Sequence, residues 1–192
     1  MSQAASSNFV AQQPRYTGVA MLLHWVMALG LIGLVGFGLY MTSLPFSPVR
    51  LKFYNWHKWA GMTLLALLVL RALWRATHRP PELPQAVASA MPAWQHLAHH
   101  ATHVGLYGLM LAVPLLGWAY SSAAGFPIVW LGVLPLPDWV PVSKELADAI
   151  KPFHALSAWA LVGLVALHVG AALKHQLINK DGLLLRMWPG RG

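Results

Sequence analysis

The chain contains no cysteine. That excludes disulfides, thiolate-ligated iron–sulfur clusters and haem tethered through a CxxCH motif, so any haem must be held by other side chains. Charge is also scarce. Only 9 % of the 192 residues are charged, against about 25 % in soluble domains. Acidic residues number five against thirteen Lys and Arg. Low-complexity tracts and internal repeats are absent as well, and no nucleic-acid partner is expected.

What remains is apolar. Residues 19–40, 54–73, 104–124 and 153–173 form four hydrophobic stretches, each near the ~20 residues needed to cross a bilayer. Together they predict an all-α membrane protein, a four-transmembrane-helix bundle forming one integral membrane domain over residues 1–192. Residues 1–13 are polar and lack a basic start, so the first apolar run is expected to be an uncleaved span. Trp56, Trp59, Trp74 and Trp130 sit near span ends, where aromatic belts form.

The cations orient the bundle. With both termini on one side, that side collects Arg15, Arg71, Arg75, Arg79, Lys174, Lys180, Arg186 and Arg191, eight of the thirteen. The positive-inside rule then predicts cytoplasmic termini. Three connections follow. Residues 42–53 form a short outer loop with Pro45 and Pro48. Residues 76–93 form a Pro-rich inner linker, and residues 125–151 a long outer segment. In the last, residues 143–150 are expected as a short surface helix and Pro152 in the first turn of the fourth span.

Histidines carry the chemistry. His154 and His168 lie fourteen residues apart in the last span, nearly four helical turns, hence within about 40° of one face and about 21 Å apart. His24 lies early in the first span and His57 early in the second. Counted by depth, His24 matches His168 on the inner side, and His57 matches His154 on the outer side. An imidazole from each of two helices on opposite faces of a porphyrin gives six-coordinate iron, suited to one-electron transfer. The pattern thus predicts two non-covalent haems stacked across the membrane. A membrane histidine that merely hydrogen-bonds a neighbouring helix is the plainer reading of any one of them; two depth-matched pairs argue against it.

Other residues fall on the same fourteen-residue interval. Arg71 follows His57 by fourteen, which places it at the depth of the inner pair, where a haem propionate would satisfy a buried guanidinium. Gly38 follows His24, and Gly117 follows His103, by the same interval; each leaves room for a macrocycle or for close helix packing, as does Gly61, one turn from His57. His96, His99, His100 and His103 gather where the third span opens, as interfacial polar residues or a metal site. His175, seven after His168, is a candidate for a quinone carbonyl or a propionate.

Five segments resemble the bacterial di-haem cytochrome b561 family: LLHW (Leu22–Trp25), NWHKWAG (Asn55–Gly61), HVGLYGLMLAVPLLGW (His103–Trp118), KPFHALSAW (Lys151–Trp159) and LHVGAALKHQLINKDGLLLRMWP (Leu167–Pro189). The resemblance runs from Arg15 to Pro189. It implies two b-type haems ligated by His24, His57, His154 and His168, lipid as surroundings, ubiquinone as a redox substrate and the bacterial inner membrane as location. Some members are superoxide:ubiquinone oxidoreductases, so superoxide is the favoured periplasmic donor. Arg50, Lys52, Lys58, Lys144 and Lys151 face Asp138, Glu145 and Asp148 on the outer side. Arg50, Lys52, Lys58 and Lys151 lie close to His57 and His154 in sequence and are candidates for steering a small anion. The alternatives are a conduit or membrane anchor for a soluble redox partner and, outside redox chemistry, a histidine-lined metal transporter.

Overall fold

The computed structural model describes residues 14–190; the polar segment 1–13 and residues 191–192 lie outside them. Four long helices are apolar enough to cross a membrane: α1 (Gly18–Ser43), α2 (Pro48–Thr77), α4 (Ala93–Ala123) and α5 (Lys144–Lys174). A short helix α3 (Gln85–Ala90) interrupts the linker between α2 and α4, and a two-stranded hairpin, β1 (Val129–Trp130) with β2 (Leu134–Pro135), lies between α4 and α5. Past α5 the chain makes a π-helical turn (His175–Asn179) and a 3-10 turn (Leu183–Met187).

The helices run longer than the apolar stretches, because polar residues cap them beyond the hydrophobic edge. Thr17 Oγ1 accepts from Ala20 N, Ser47 Oγ from Arg50 N and Ser143 Oγ from Leu146 N, each satisfying an orphan amide of a first turn. Two expectations are corrected here. Pro48 belongs to the first turn of α2, so the loop before it is far shorter than residues 42–53. The surface helix expected at residues 143–150 is fused to the fourth span, and Pro152 lies inside α5. Ser143 caps the helix and Glu145 occupies its first turn, so the helix starts ahead of the proline.

Close backbone packing joins α1 to α2, α2 to α4, and α4 to α5. Leu22, Ile32 and Leu167 are more than 60 % exposed, as lipid-facing side chains of a membrane bundle are. Gly30 lets α1 approach Leu64 of α2, since a Cβ there would sit 3.0 Å from Leu64 Cδ2. Gly33 and Gly36 have nothing within 4 Å and do not serve packing within the chain.

The described ends, Pro14 and Gly190, meet at one end of the bundle, called here the near side. Arg186, only 4 % exposed, ties them. Its Nε donates to Pro14 O (2.8 Å), and one terminal nitrogen donates to Pro81 O (3.0 Å) and Glu82 O (2.7 Å). Burial lowers the guanidinium's pKa from its ordinary value, but three carbonyls compensate the charge. Trp25 Nε1 adds a bond to Met187 O at 2.8 Å. On the opposite, far side the hairpin lies on α2: Trp130 Nε1 donates to Thr63 Oγ1 (3.2 Å), and Lys58 Nζ to Phe126 O (3.2 Å). Gly132 occupies the left-handed region (φ 76°) against the ring of Trp59.

Arg186→Leu removes three charge-assisted bonds that a buried guanidinium makes to backbone carbonyls. We expect it to cost about 2–4 kcal/mol, read as a lower thermal midpoint, with faster proteolysis around Pro81 and Glu82. An unchanged midpoint contradicts the clamp.

Candidate functional site

The seam between α5 and the α1–α2 pair is bridged by histidines. On the near side the rings of His24 and His168 have centroids 6.3 Å apart with planes at 75°. On the far side His57 and His154 are 6.4 Å apart with planes at 85°. These are the pairs that depth matching predicts.

The separation decides between two chemistries. Metal–imidazole bonds of about 2.0–2.1 Å, plus about 1.1 Å from nitrogen to ring centre, put two rings about 6.3 Å apart across one ion. Facing nitrogens at that separation are about 4 Å apart, too far for a direct hydrogen bond. Both pairs therefore fit an ion between them and do not fit an interhelical hydrogen bond. The donor set, two neutral nitrogens with no carboxylate or thiolate, suits haem iron.

Each pair has its own surroundings. His154 Nδ1 shares a hydrogen bond of 2.9 Å with Val113 O. A carbonyl can only accept, so this nitrogen carries the proton and Nε2 keeps its lone pair for a ligand. His57 Nδ1 is buried without a partner. Gly117 and Gly38 touch the imidazoles themselves: a Cβ at Gly117 would lie 3.0 Å from His154 Cε1, and one at Gly38 3.1 Å from His57 Cε1. The close approach expected at these glycines is present, but it is to the ring. Gly61 differs, meeting Leu34 at 4.0 Å.

The near pair is the more polar. His103 lies 5.2 Å from the His168 ring and 4.4 Å from the His99 ring, with its Nδ1 2.8 Å from His99 O. His96 Nε2 bonds Ala88 O instead (3.1 Å). Among the described residues no three His, Asp or Glu converge to hold a metal ion. Arg71 Nε donates to Tyr107 Oη at 3.0 Å, while its Nη1 is buried with no partner. Arg71 lies at the end of the bundle that holds His24 and His168. Sequence reasoning left out Tyr107, and it read His103 as an interfacial residue. The fourteen-residue step from His103 to Gly117 was the available signal that His103 shares a face with the site.

The remaining candidates scatter. His175 Nδ1 pairs with Asp181 Oδ2 at 2.5 Å, both side chains mostly buried. Arg50 donates to Leu44 O (2.9 Å) and Tyr54 Oη (3.2 Å). Lys52 lies 5.0 Å over the Trp56 ring. Lys58 reaches Phe126 O, and Lys151 is exposed. Arg50, Lys52 and Lys58 thus each have a separate local partner.

The comparisons agree with the geometry. A family model described as prokaryotic cytochrome b561 matches residues 15–190. The chain is 34 % identical over 181 residues to cytochrome b561 homolog 2 of Escherichia coli (strain K12), covering 94 % of each. It is 33 % identical over 180 residues to cytochrome b561 homolog 1 of the same organism, covering 92 % of this chain and 98 % of the relative. A protein of Yersinia pestis named probable superoxide oxidase CybB is 28 % identical over 185 residues, with 91 % and 96 % covered. Family members are membrane electron-transfer proteins that bind b-type haem. With four apolar helices and imidazole pairs facing each other at two depths, this chain belongs to the prokaryotic cytochrome b561 family.

Proposed function

We propose that this protein carries electrons across the bacterial inner membrane between a donor on the far side and ubiquinone, with superoxide the favoured donor. The observation that carries the reading is the 6.3–6.4 Å separation in both imidazole pairs. The near side is taken as cytoplasmic, because seven of the twelve Lys and Arg among the described residues fall there. The name of the Yersinia pestis relative supports superoxide.

Haem b held by each pair would supply reversible one-electron chemistry. The chain does the rest. His24 with His168, and His57 with His154, are the proposed ligands. Val113 O fixes the His154 tautomer. Arg71, with its free buried Nη1, is the proposed partner of a propionate on the near side.

Superoxide loses one electron to become dioxygen, so no side chain has to move a proton on the far side. Lys52, Lys58, Lys151 and Arg50 supply positive charge there, and an anion's encounter rate rises with it. Ubiquinone takes two electrons and two protons. His175, whose Nδ1 is committed to Asp181, keeps Nε2 for a quinone carbonyl. A second reading, a conduit for a soluble redox partner, draws on exposed apolar residues of the far loop, Val133 (80 %) and Val142 (71 %).

Stopped-flow mixing of oxidised protein with superoxide is expected to reduce the haem within the lifetime of the radical, at a rate falling as ionic strength rises. Absence of reduction rejects superoxide as donor and favours the conduit. Two substitutions separate the sites. Arg71→Leu removes a cation beside the near site and should lower that midpoint by on the order of 50 mV, leaving the far one in place. Gly117→Ala crowds the His154 ring and should perturb only the far site. A redox titration reads both, and equal shifts at both sites contradict the assignment.

A further inference from the structure

We propose that a recess on the near side, between the start of α1 and the end of α2, binds the phosphate of an anionic phospholipid. The inference rests on the membrane bundle alone and is independent of donor and acceptor. Arg15, Arg71, Arg75 and Arg79 all line this recess. No carboxylate among the described residues forms an ion pair with them. All five acidic residues lie within residues 14–190, and the ion pairs among the described residues are Lys144–Asp148 and His175–Asp181.

Two guanidinium nitrogens, Arg15 Nε and Arg71 Nη1, are buried with no partner. With Arg71 Nη1 assigned to a propionate, Arg15 Nε is the buried charged donor that calls for a second acceptor, which the described residues do not provide, and leaving it unsatisfied is costly. Its walls are held in place. Arg71 donates to Tyr107 Oη, and Arg75 lies 6.0 Å over the same ring. Trp74 stacks on His78 at 3.8 Å with planes 3° apart, and its Nε1 donates to Thr17 Oγ1 at 3.0 Å.

The ligand's other half is legible from the surface below. Val19 and Leu22 of α1 and Leu70 and Leu73 of α2, each next to or within two residues of a recess-lining position, are exposed and apolar. A molecule with a phosphate among arginines and hydrocarbon along these residues satisfies both surfaces. Guanidinium forks match phosphate oxygens, and each cation near an anionic headgroup contributes about 1 kcal/mol. A free phosphate would leave the apolar surface unused. A haem propionate at Arg71 leaves Arg15, Arg75 and Arg79 without an anion; Arg15 Nη2 donates to Trp188 O, but its Nε has no partner.

The test uses the purified, haem-loaded protein, in which propionates already occupy whatever they require. Native mass spectrometry with added phosphatidylglycerol or phosphatidylcholine is expected to show one retained phosphatidylglycerol, held about tenfold more tightly than the zwitterionic lipid. The double variant Arg75→Ala, Arg79→Ala is expected to abolish that preference while the haem spectrum stays unchanged. Equal retention of the two lipids by the unmodified protein overturns the proposal, whether or not the variant folds. So does an undiminished preference in a variant with intact haem. Displacement of the phosphatidylglycerol by inorganic phosphate at comparable concentration identifies a free-anion site and also overturns it.

Discussion

Four half-buried imidazoles meet in two pairs across the seam, too far apart to hydrogen-bond to each other, and the arrangement of the helices holds them at that separation. The rings meet at two depths, 6.3 Å apart in one layer and 6.4 Å in the other. The device that makes two layers possible is a fourteen-residue interval repeated on every long helix: His24 to Gly38, His57 to Arg71, His103 to Gly117, and His154 to His168. Nearly four helical turns return a side chain to the same face. Antiparallel helices carrying that interval therefore present two matched layers to a common seam. Gly38 and Gly117 complete the far layer by yielding their own side-chain volume to His57 and His154.

The layers are not equivalent. The near one has Arg71, Tyr107, His103 and His99 around it, whereas the far one has a backbone carbonyl, two glycines and an unpartnered His57 Nδ1. A fixed cation stabilises the reduced form of a nearby redox centre. On the proposed assignment, Arg71 therefore raises the near potential relative to the far one and favours electron movement from far to near, the direction that superoxide oxidation by quinone requires. Both ends of the seam are closed by ordered chain, the hairpin over α2 on the far side and the Arg186 clamp on the near side.

Much of this was legible in the sequence, because hydropathy and helical period act locally. The four spans, their order and the histidine pairing all follow from apolar runs and from counting residues along a helix. Legibility failed where geometry depends on the third dimension. Pro152 reads as a helix start, yet Ser143 and Glu145 begin the helix a turn and more earlier. Arg186 reads as one inner-side charge among eight, and only its position relative to Pro14 and Pro81 shows it to be a clamp. Gly117 reads as clearance for a macrocycle or as close helix packing, and only the structure shows that what it approaches is the His154 ring. Arg50, Lys52, Lys58 and Lys151 read as cations near the histidines in sequence; the local partners of Arg50, Lys52 and Lys58 appear only in space.

The central claim is that His57 and His154 serve one centre, and His24 and His168 another. Haem content of single alanine variants, counted as haemochrome per chain, tests it most directly. The unmodified protein should hold two haems, and His57→Ala and His154→Ala should each lose the same one and keep the other with its spectrum intact. Loss of different haems in the two variants, or a single haem in the unmodified chain, contradicts the pairing.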